Sequence, residues 1–396
     1  MDNSTKYFID LLSSFLCKHE PIQKDNIEWN EIMKFARIHN VSGMIYLAAN
    51  KLPCDYSPST DIKKMLEKDF LVTALRAESR DNGMEALIDA LNEAKIPHVL
   101  IKGYVVKNYY PVKEMRTMGD IDFLIRPQDR AKSHELLQSI GFITGEAEDE
   151  VWHYSNNAVN LEVHTQIMYH NMHNGTDYVK YFSDAWEHTI PTSRPYTFEL
   201  TVEYHFLYVM VHLAKHFDGK GCGIRMIMDI AVFLNFFKGK LDWAYINREI
   251  ENLNLVLFSK NIYILCKRWF GLSFDFKLPE MEENFYEDLS DYILSAGTFG
   301  FYERDSSARV IRTELYQGNS EAKKTNKKIA LIKIYISRLF PGYKEMCNGS
   351  HYKFLSGRPI LLPIAWIYRF FRLAKDVGES NKEAEKQYEV ISKLGL

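Results

Sequence analysis

Residues 97–126 read PHVLIKGYVVKNYYPVKEMRTMGDIDFLIR and predict the centre of the fold. Two short apolar runs, residues 98–101 and 121–125, have the length of buried strands and bracket a glycine turn and a helix-like segment. Because side chains alternate along a strand, Asp120 and Asp122 are expected on one face. Two adjacent carboxylates repel each other unless a cation lies between them, and hard oxygen ligands suit Mg²⁺. The stretch therefore predicts a magnesium site.

A third carboxylate is expected on a neighbouring strand. The segment 158–163, AVNLEV, offers Glu162 between two apolar residues, Leu161 and Val163. An acid placed in this way on a buried strand would face the same side as its polar neighbours along the strand. We therefore predict that Glu162 completes the acidic cluster.

Four motifs carry a resemblance to a known family: LIKG (100–103), YP (110–111), RTMGDIDFLI (116–125) and LEVH (161–164). Together they resemble the polymerase-β-type nucleotidyltransferase superfamily and, more narrowly, the bacterial group called uncharacterised nucleotidyltransferases. The resemblance implies an α+β fold, with a small mixed β-sheet core flanked by helices and by N-terminal and C-terminal helical domains. One position departs from the superfamily pattern, since Gly103 is followed by Tyr104 where Gly-Ser or Gly-Gly is usual.

The resemblance also implies an activity. Carried over residue by residue, it makes Asp120, Asp122 and Glu162 both catalytic and metal-binding. The first two acids would hold two Mg²⁺ ions, with Mn²⁺ as an alternative, and the third would activate the acceptor hydroxyl. The expected reaction transfers an NMP from an NTP, with ATP the first choice, to a hydroxyl of a small molecule, a sugar or a protein, and releases pyrophosphate.

Three residues of the central stretch are candidates for nucleotide binding. Lys102 and Gly103 end the first strand, where glycine lets the backbone approach a phosphate and the next helix directs its N-terminal dipole at the anion. A structural turn is the alternative. Arg116 is expected to bridge triphosphate oxygens, and a salt bridge with Glu114 or Asp120 is equally open.

Later candidates rest on the strand pattern and on the resemblance. His164 shares a strand face with the third acid and is expected at the phosphate or the acceptor, with a structural histidine equally open. The resemblance implies two helices that close over the nucleotide. Lys215 and His216 are then expected at the triphosphate, and Arg225 and Asp229 near the acceptor. An ion pair between Arg225 and Asp229, one helical turn apart, is the slightly favoured alternative.

The composition and net charge of the chain limit the classes of partner that we expect. The chain has 396 residues, 46% of them hydrophobic and 26% charged, as in ordinary globular proteins. Its formal net charge of −3 creates no general field that attracts nucleic acid, so nucleic acid is disfavoured as a partner. Five cysteines without CxxC spacing argue against disulfides or zinc and, together with an N-terminus that lacks a leader pattern, predict a cytoplasmic protein.

Breaks in the pattern predict three domains: an N-terminal helical domain (1–84), the nucleotidyltransferase core (85–191) and a C-terminal helical domain (192–396). A run of about 18 apolar residues, which a spanning helix needs, is not found. The segment 359–375, PILLPIAWIYRFFRLAK, is expected to dock on the body of the protein, and peripheral membrane contact is the weaker alternative. The lysines of 323–328 are interpreted as exposed helix surface.

Two other functions stay open at this point. A catalytically inactive nucleotide-binding or partner-binding module would bind NTP with divalent ions but without turnover. A metal-dependent phosphohydrolase would use the same acids and His164, and would release inorganic phosphate instead of pyrophosphate.

Overall fold

The computed structural model describes residues 1–148, 151–172, 174–219, 221–298, 300, 336, 340–347 and 350–396. Its fold is α+β, with a seven-stranded mixed sheet set among helices, which confirms the predicted fold class. The lysine-rich run 323–328 lies outside the described residues.

The sheet has the order β3-β4-β5-β2-β1-β7-β6. Its strands are β1 (His98–Leu100), β2 (Ile121–Ile125), β3 (Ile143–Glu148), β4 (Val151–Ser155), β5 (Asn160–His164), β6 (Thr189–Pro191) and β7 (Thr197–Leu200). The central strand β2 pairs antiparallel with β1 and parallel with β5. The parallel register sets Asp122 opposite Glu162 and Leu124 opposite His164. These four side chains therefore lie on one face of the sheet.

Helices precede and follow the sheet. The N-terminal ones are α1 (Asn3–Cys17), α2 (Trp29–Ile38), α3 (Ser42–Ala49) and α4 (Thr60–Glu93). Between the strands lie α5 (Gly103–Val106), α6 (Arg130–Ser139) and α7 (Tyr178–Tyr181). After the sheet come α8 (Val202–Asp218), α9 (Ile224–Phe236), α10 (Trp243–Asn252), α11 (Val256–Phe270), α12 (Glu283–Ser295), α13 (Tyr343–Cys347) and α14 (Leu362–Lys393). Short 3₁₀ turns occupy Cys54–Tyr56, Lys107–Tyr109, Lys113–Met115, Pro127–Asp129, Ala185–His188, Ser350–Leu355 and Pro359–Leu361.

The two faces of the sheet pack on different cores. Ile121 and Phe123 belong to a smaller core that includes Leu87 of α4 and Leu137 of α6. Leu124 belongs to the large helical core that α8, α9 and the N-terminal helices also build. Because side chains alternate along β2, Asp122 shares the face of Leu124. The acidic cluster is thus placed between the sheet and the C-terminal helices.

The elements run across the predicted domain limits. Helix α4 is continuous through residue 84, and β7 lies beyond residue 191 while pairing with β1 in the sheet. Since β7 hydrogen-bonds to β1 from His98 to Leu100, the sheet extends past the predicted end of the core. The two helical regions are therefore tied to the sheet by shared elements.

The C-terminal helix is anchored by its last turns. Val390, Ile391 and Leu394 are buried in the large core, whereas Ile360 and Phe371 nearer its start are 86% and 83% exposed. The part of the chain that the structure describes contains no helix with the length and apolar character needed to cross a bilayer.

The central strand gives a test of this packing. Phe123 is fully buried, so Phe123→Ala should lower the free energy of unfolding by about 3–5 kcal/mol through lost burial and a residual cavity. Ile143→Ala, at a site 72% exposed on β3, should change it by about 0.5 kcal/mol or less. Chemical denaturation measures both values, and equal losses would contradict the assignment of β2 to the core.

Candidate active site

A buried carboxylate forms the centre of the site. Asp122 lies on β2 with its side chain 12% exposed, and Lys102, at the end of β1, forms an ion pair with its Oδ1. Nε2 of His164 donates a hydrogen bond to the same oxygen over 2.9 Å. Lys102 follows β1 by two residues and His164 is the last residue of β5, and these two strands flank β2, so the sheet brings the three residues together.

Asp122 and Lys102 shift each other's pKa values. Burial alone would raise the pKa of Asp122, but the positive charge of Lys102 and the hydrogen bond from His164 hold the pKa well below its usual range. Burial would lower the pKa of Lys102, yet the charge of Asp122, together with Tyr208 and Glu162, raises it above its ordinary value. At neutral pH the group is therefore a carboxylate facing an ammonium.

The other two acids lie beside this pair. Glu162 Oε2 is 3.5 Å from Nε2 of His164, and its Oε1 is 3.9 Å from Nδ1 of His153 on β4. Asp120, which precedes β2, is exposed. The pKa of Asp120 is raised because neighbouring atoms limit its solvation and because Glu162 and Asp122 are negative. The three carboxylates thus lie close enough to influence one another electrostatically.

The donor atoms are suitable for a divalent cation. One ligand atom from each of Asp122, Glu162 and His164 lies within 4.8 Å of the others. Two carboxylates and an imidazole are ligands for Mn²⁺ and similar ions, and the carboxylates also suit Mg²⁺. The raised pKa of Asp120 reports negative charge that a cation would offset. These residues therefore fit a metal.

Arg116 has a different partner from those considered in the sequence. Its Nη2 donates to Oδ2 of Asp229 over 2.5 Å and its Nε donates to Oδ1 over 3.2 Å. Tyr110 donates its hydroxyl to the same Oδ1 over 2.7 Å. This buried, bidentate pair joins the loop before β2 to α9. Asp229 is thus bonded to Arg116, and the guanidinium of Arg225 instead donates from Nη1 to Oγ1 of Thr117 over 2.8 Å.

The glycine turn makes room for this arginine. A Cβ atom at Gly103 would overlap the guanidinium of Arg116, so glycine is required for their close approach. The preceding residue, Lys102, has a backbone φ of 52°, which lies in the left-handed region that residues other than glycine rarely adopt. Strain of this kind is often found at functional sites. The residue with this backbone conformation is the one that forms the ion pair with Asp122.

Helix α8 contributes the far side of the site. Lys215 is exposed near its end, and His216 is half-buried with its Nε2 3.2 Å from Nε2 of His212. Burial and the nearby charge of Lys215 lower the pKa of His216 to about 4. Burial, followed by the charge of Lys102, lowers the pKa of His212 well below its usual value. Both imidazoles are therefore neutral near pH 7.

Several residues of the site were missed in the sequence. Tyr110, Thr117, Tyr208 and His212 contact or surround the predicted residues, and Arg80 lies near Arg116. The YP motif contains Tyr110 and was a usable signal. Thr117 lies inside the RTMGDIDFLI motif, and His212 lies one helical turn before His216, so both also had a signal. Tyr208 and Arg80 had none, since their roles depend on which helices pack beside the sheet.

The chain was compared with known protein families, with curated proteins and with solved structures. A family described as uncharacterised nucleotidyltransferase matches residues 25–271, which is more than half of the chain. The match spans the whole sheet together with α8 and α9. The chain belongs to this nucleotidyltransferase family. The comparison with curated proteins gave no match, and neither did the comparison with solved structures.

The two aspartates of the motif should differ in their effect on stability. Asp122→Asn leaves the buried ammonium of Lys102 without a negative partner, so the free energy of unfolding should fall by about 3 kcal/mol. Asp120→Asn removes an exposed charge that two acids repel, so it should cost about 0.5 kcal/mol or less, or stabilise the fold. Denaturation in the presence of a chelator measures both. Similar losses would contradict the assigned ion pair.

Proposed function

We propose that the protein is a divalent-metal-dependent nucleotidyltransferase that transfers an NMP from an NTP, with ATP the first choice, to an acceptor hydroxyl. The observation that carries this proposal is the register of β2 and β5, which sets Asp122 directly opposite Glu162 with Asp120 beside them. The family match supports nucleotidyl transfer in general. The metal, the nucleotide base and the acceptor are parts of the proposal.

The residues that would hold the metal are Asp120, Asp122 and Glu162, with His164 available as a further ligand. When bound, two Mg²⁺ or Mn²⁺ ions would neutralise triphosphate charge and stabilise the attacking and leaving oxygens. Asp122 is ionised at any physiological pH, because its pKa is held low. It is therefore ready to act as a ligand without first losing a proton.

The remaining candidates are given roles that follow from their positions. Glu162 is partly exposed beside the cluster and would accept the proton of the acceptor hydroxyl. Lys102 would bind phosphate oxygens once its carboxylate partner is shared with a cation. Arg116, fixed by Asp229 against Gly103, would position the turn more than bind phosphate by itself. Lys215 and His216 would face the triphosphate from α8.

One observation favours a second candidate function. Lys102 forms an ion pair with Asp122, and Arg116 forms one with Asp229. Two of the cations proposed to bind or position the nucleotide therefore already have carboxylate partners within the protein. A module that binds nucleotide without turnover would be compatible with such pairing. Divalent-dependent NTP binding without pyrophosphate release would select this alternative, whereas inorganic phosphate release would select a hydrolase.

Activity can be tested with α-labelled ATP, Mg²⁺ and cell extract, following label on the acceptor and release of pyrophosphate. Glu162→Gln should lower label transfer by about 100-fold or more, because it removes the expected general base. Asp120→Asn should also abolish transfer while the protein stays folded, because the cation loses a ligand. Glu199→Gln, an exposed carboxylate on β7, is the matched control and should label as wild type.

The outcome that would refute the proposal is equally specific. If Asp120→Asn and Glu162→Gln transfer label at the rate of wild type and of Glu199→Gln, the acidic cluster is not the catalytic centre. The chain would then keep its family membership without the mechanism assigned to these residues.

A further inference from the structure

A cavity rich in arginine lies against the loop that leads into β2, where Thr117 and Met118 line it. It measures about 350 Å³, within the range of small-molecule pockets, roughly 300–1,000 Å³. Its charged lining consists of Arg37, Arg76, Arg80, Arg225 and a single acid, Asp69. We call it the arginine cavity. Its walls come from α2, the start of α3, α4, α9 and the loop that leads into β2.

The positive charge of the arginine cavity is largely uncompensated. Arg37 forms an ion pair with Asp69, with Nε 2.8 Å from Oδ2. In the described part of the chain no carboxylate bonds to Arg76, Arg80 or Arg225. The Nε atom of Arg80 is buried and has no hydrogen-bond partner there. Three guanidinium groups thus line one small space without a bonded carboxylate, since the nearby acids Asp81 and Asp229 pair with Lys107 and Arg116.

Arg225 is the most deeply buried of these three arginines. It is only 9% exposed, and its charge lies near those of Arg116 and Arg80. Burial and the charge of Arg116 lower its pKa to about 10, so it remains charged at neutral pH. The acid one turn along α9, Asp229, is bonded to Arg116 and Tyr110. A buried cation without a bonded anion is costly unless a ligand supplies the negative charge.

The shape of the guanidinium group indicates the kind of anion. Arginine presents paired N–H donors that match phosphate oxygens, and several arginines around one space suit a doubly charged group. On these grounds we infer that the arginine cavity binds a phosphate group of the acceptor, so that the acceptor is a phosphorylated hydroxyl compound. This inference rests on the proposed function, because it identifies the class of the second substrate.

The position of the cavity favours the acceptor over the nucleotide. Lys102 and His164, the nucleotide candidates that touch Asp122, lie between the strands and Tyr208 of α8. The arginine cavity is lined by Thr117 and Met118, just before Asp120, and its lining includes neither Lys102 nor His164. The cation that pairs with Asp122 and the arginines of the cavity are therefore two different groups of residues. A transferase with two anionic substrates needs two such groups.

Phosphate binding can be measured on the intact protein without catalysis. Inorganic phosphate is titrated by calorimetry in the presence of a chelator, so that no metal recruits it to the acids. Wild type should bind one phosphate, and Arg80→Gln and Arg225→Gln should each weaken binding about tenfold, the loss expected for one charge-assisted hydrogen bond. Arg268→Gln, which removes an arginine paired with Glu283 on another helix, should bind as wild type.

Melting temperatures provide a second readout. Phosphate should raise the melting temperature of wild type and Arg268→Gln but not of the double variant Arg80→Gln/Arg225→Gln. Should Arg225→Gln fail to fold, the pair Arg76→Gln and Arg80→Gln on α4 tests the same cavity. Absence of phosphate binding by wild type, or binding that these substitutions leave unchanged, would overturn the assignment.

A competition experiment distinguishes the acceptor from the nucleotide. Protein saturated with Mg²⁺ and a non-hydrolysable ATP analogue should still bind inorganic phosphate with nearly the same affinity. Competition between them would show that the cavity holds the nucleotide tail and would overturn the acceptor assignment. Phosphate binding without metal-dependent analogue binding would instead refute the proposed function and leave the anion site intact.

Discussion

The ion pair between Lys102 and Asp122 is the constraint on which the site depends. A carboxylate that is 12% exposed on a central strand would be costly without compensation, and the ammonium from the next strand supplies it. The backbone of Lys102 has a left-handed φ of 52°. Since His164 bonds the same oxygen, the relative positions of β1, β2 and β5 are all fixed around one charge.

A second buried pair connects this centre to the helices. Arg116 and Asp229 hold α9 against the loop before β2, and Gly103 makes space for the guanidinium. Because Asp229 is satisfied by Arg116, Arg225 turns to Thr117 and leaves its charge at the arginine cavity. The pairing of Arg116 with Asp229 therefore determines which groups Arg225 can bind. Through Arg116, Thr117 and Arg225, the loop before β2 is thereby connected to the arginine cavity.

Much of the sheet could be predicted from local sequence patterns. Period-two alternation places Asp122 and Glu162 opposite the buried Ile121, Phe123, Leu161 and Val163, and the helices α4, α8 and α9 follow their apolar spacing. The partner of Arg116 could not be predicted from the sequence, because Asp229 is 113 residues away and only the packing of α9 brings it close. Strand β7 was missed for the same reason: its pairing with β1 is long-range.

The central claim is that Asp120, Asp122 and Glu162 hold a divalent cation together. Titration of the metal-free protein with Mn²⁺, followed by electron paramagnetic resonance, tests it most directly. The account predicts saturable binding by wild type and by Glu199→Gln, and strongly weakened binding by Glu162→Gln. Mn²⁺ binding of equal strength in all three proteins, or its absence from wild type, would contradict the account.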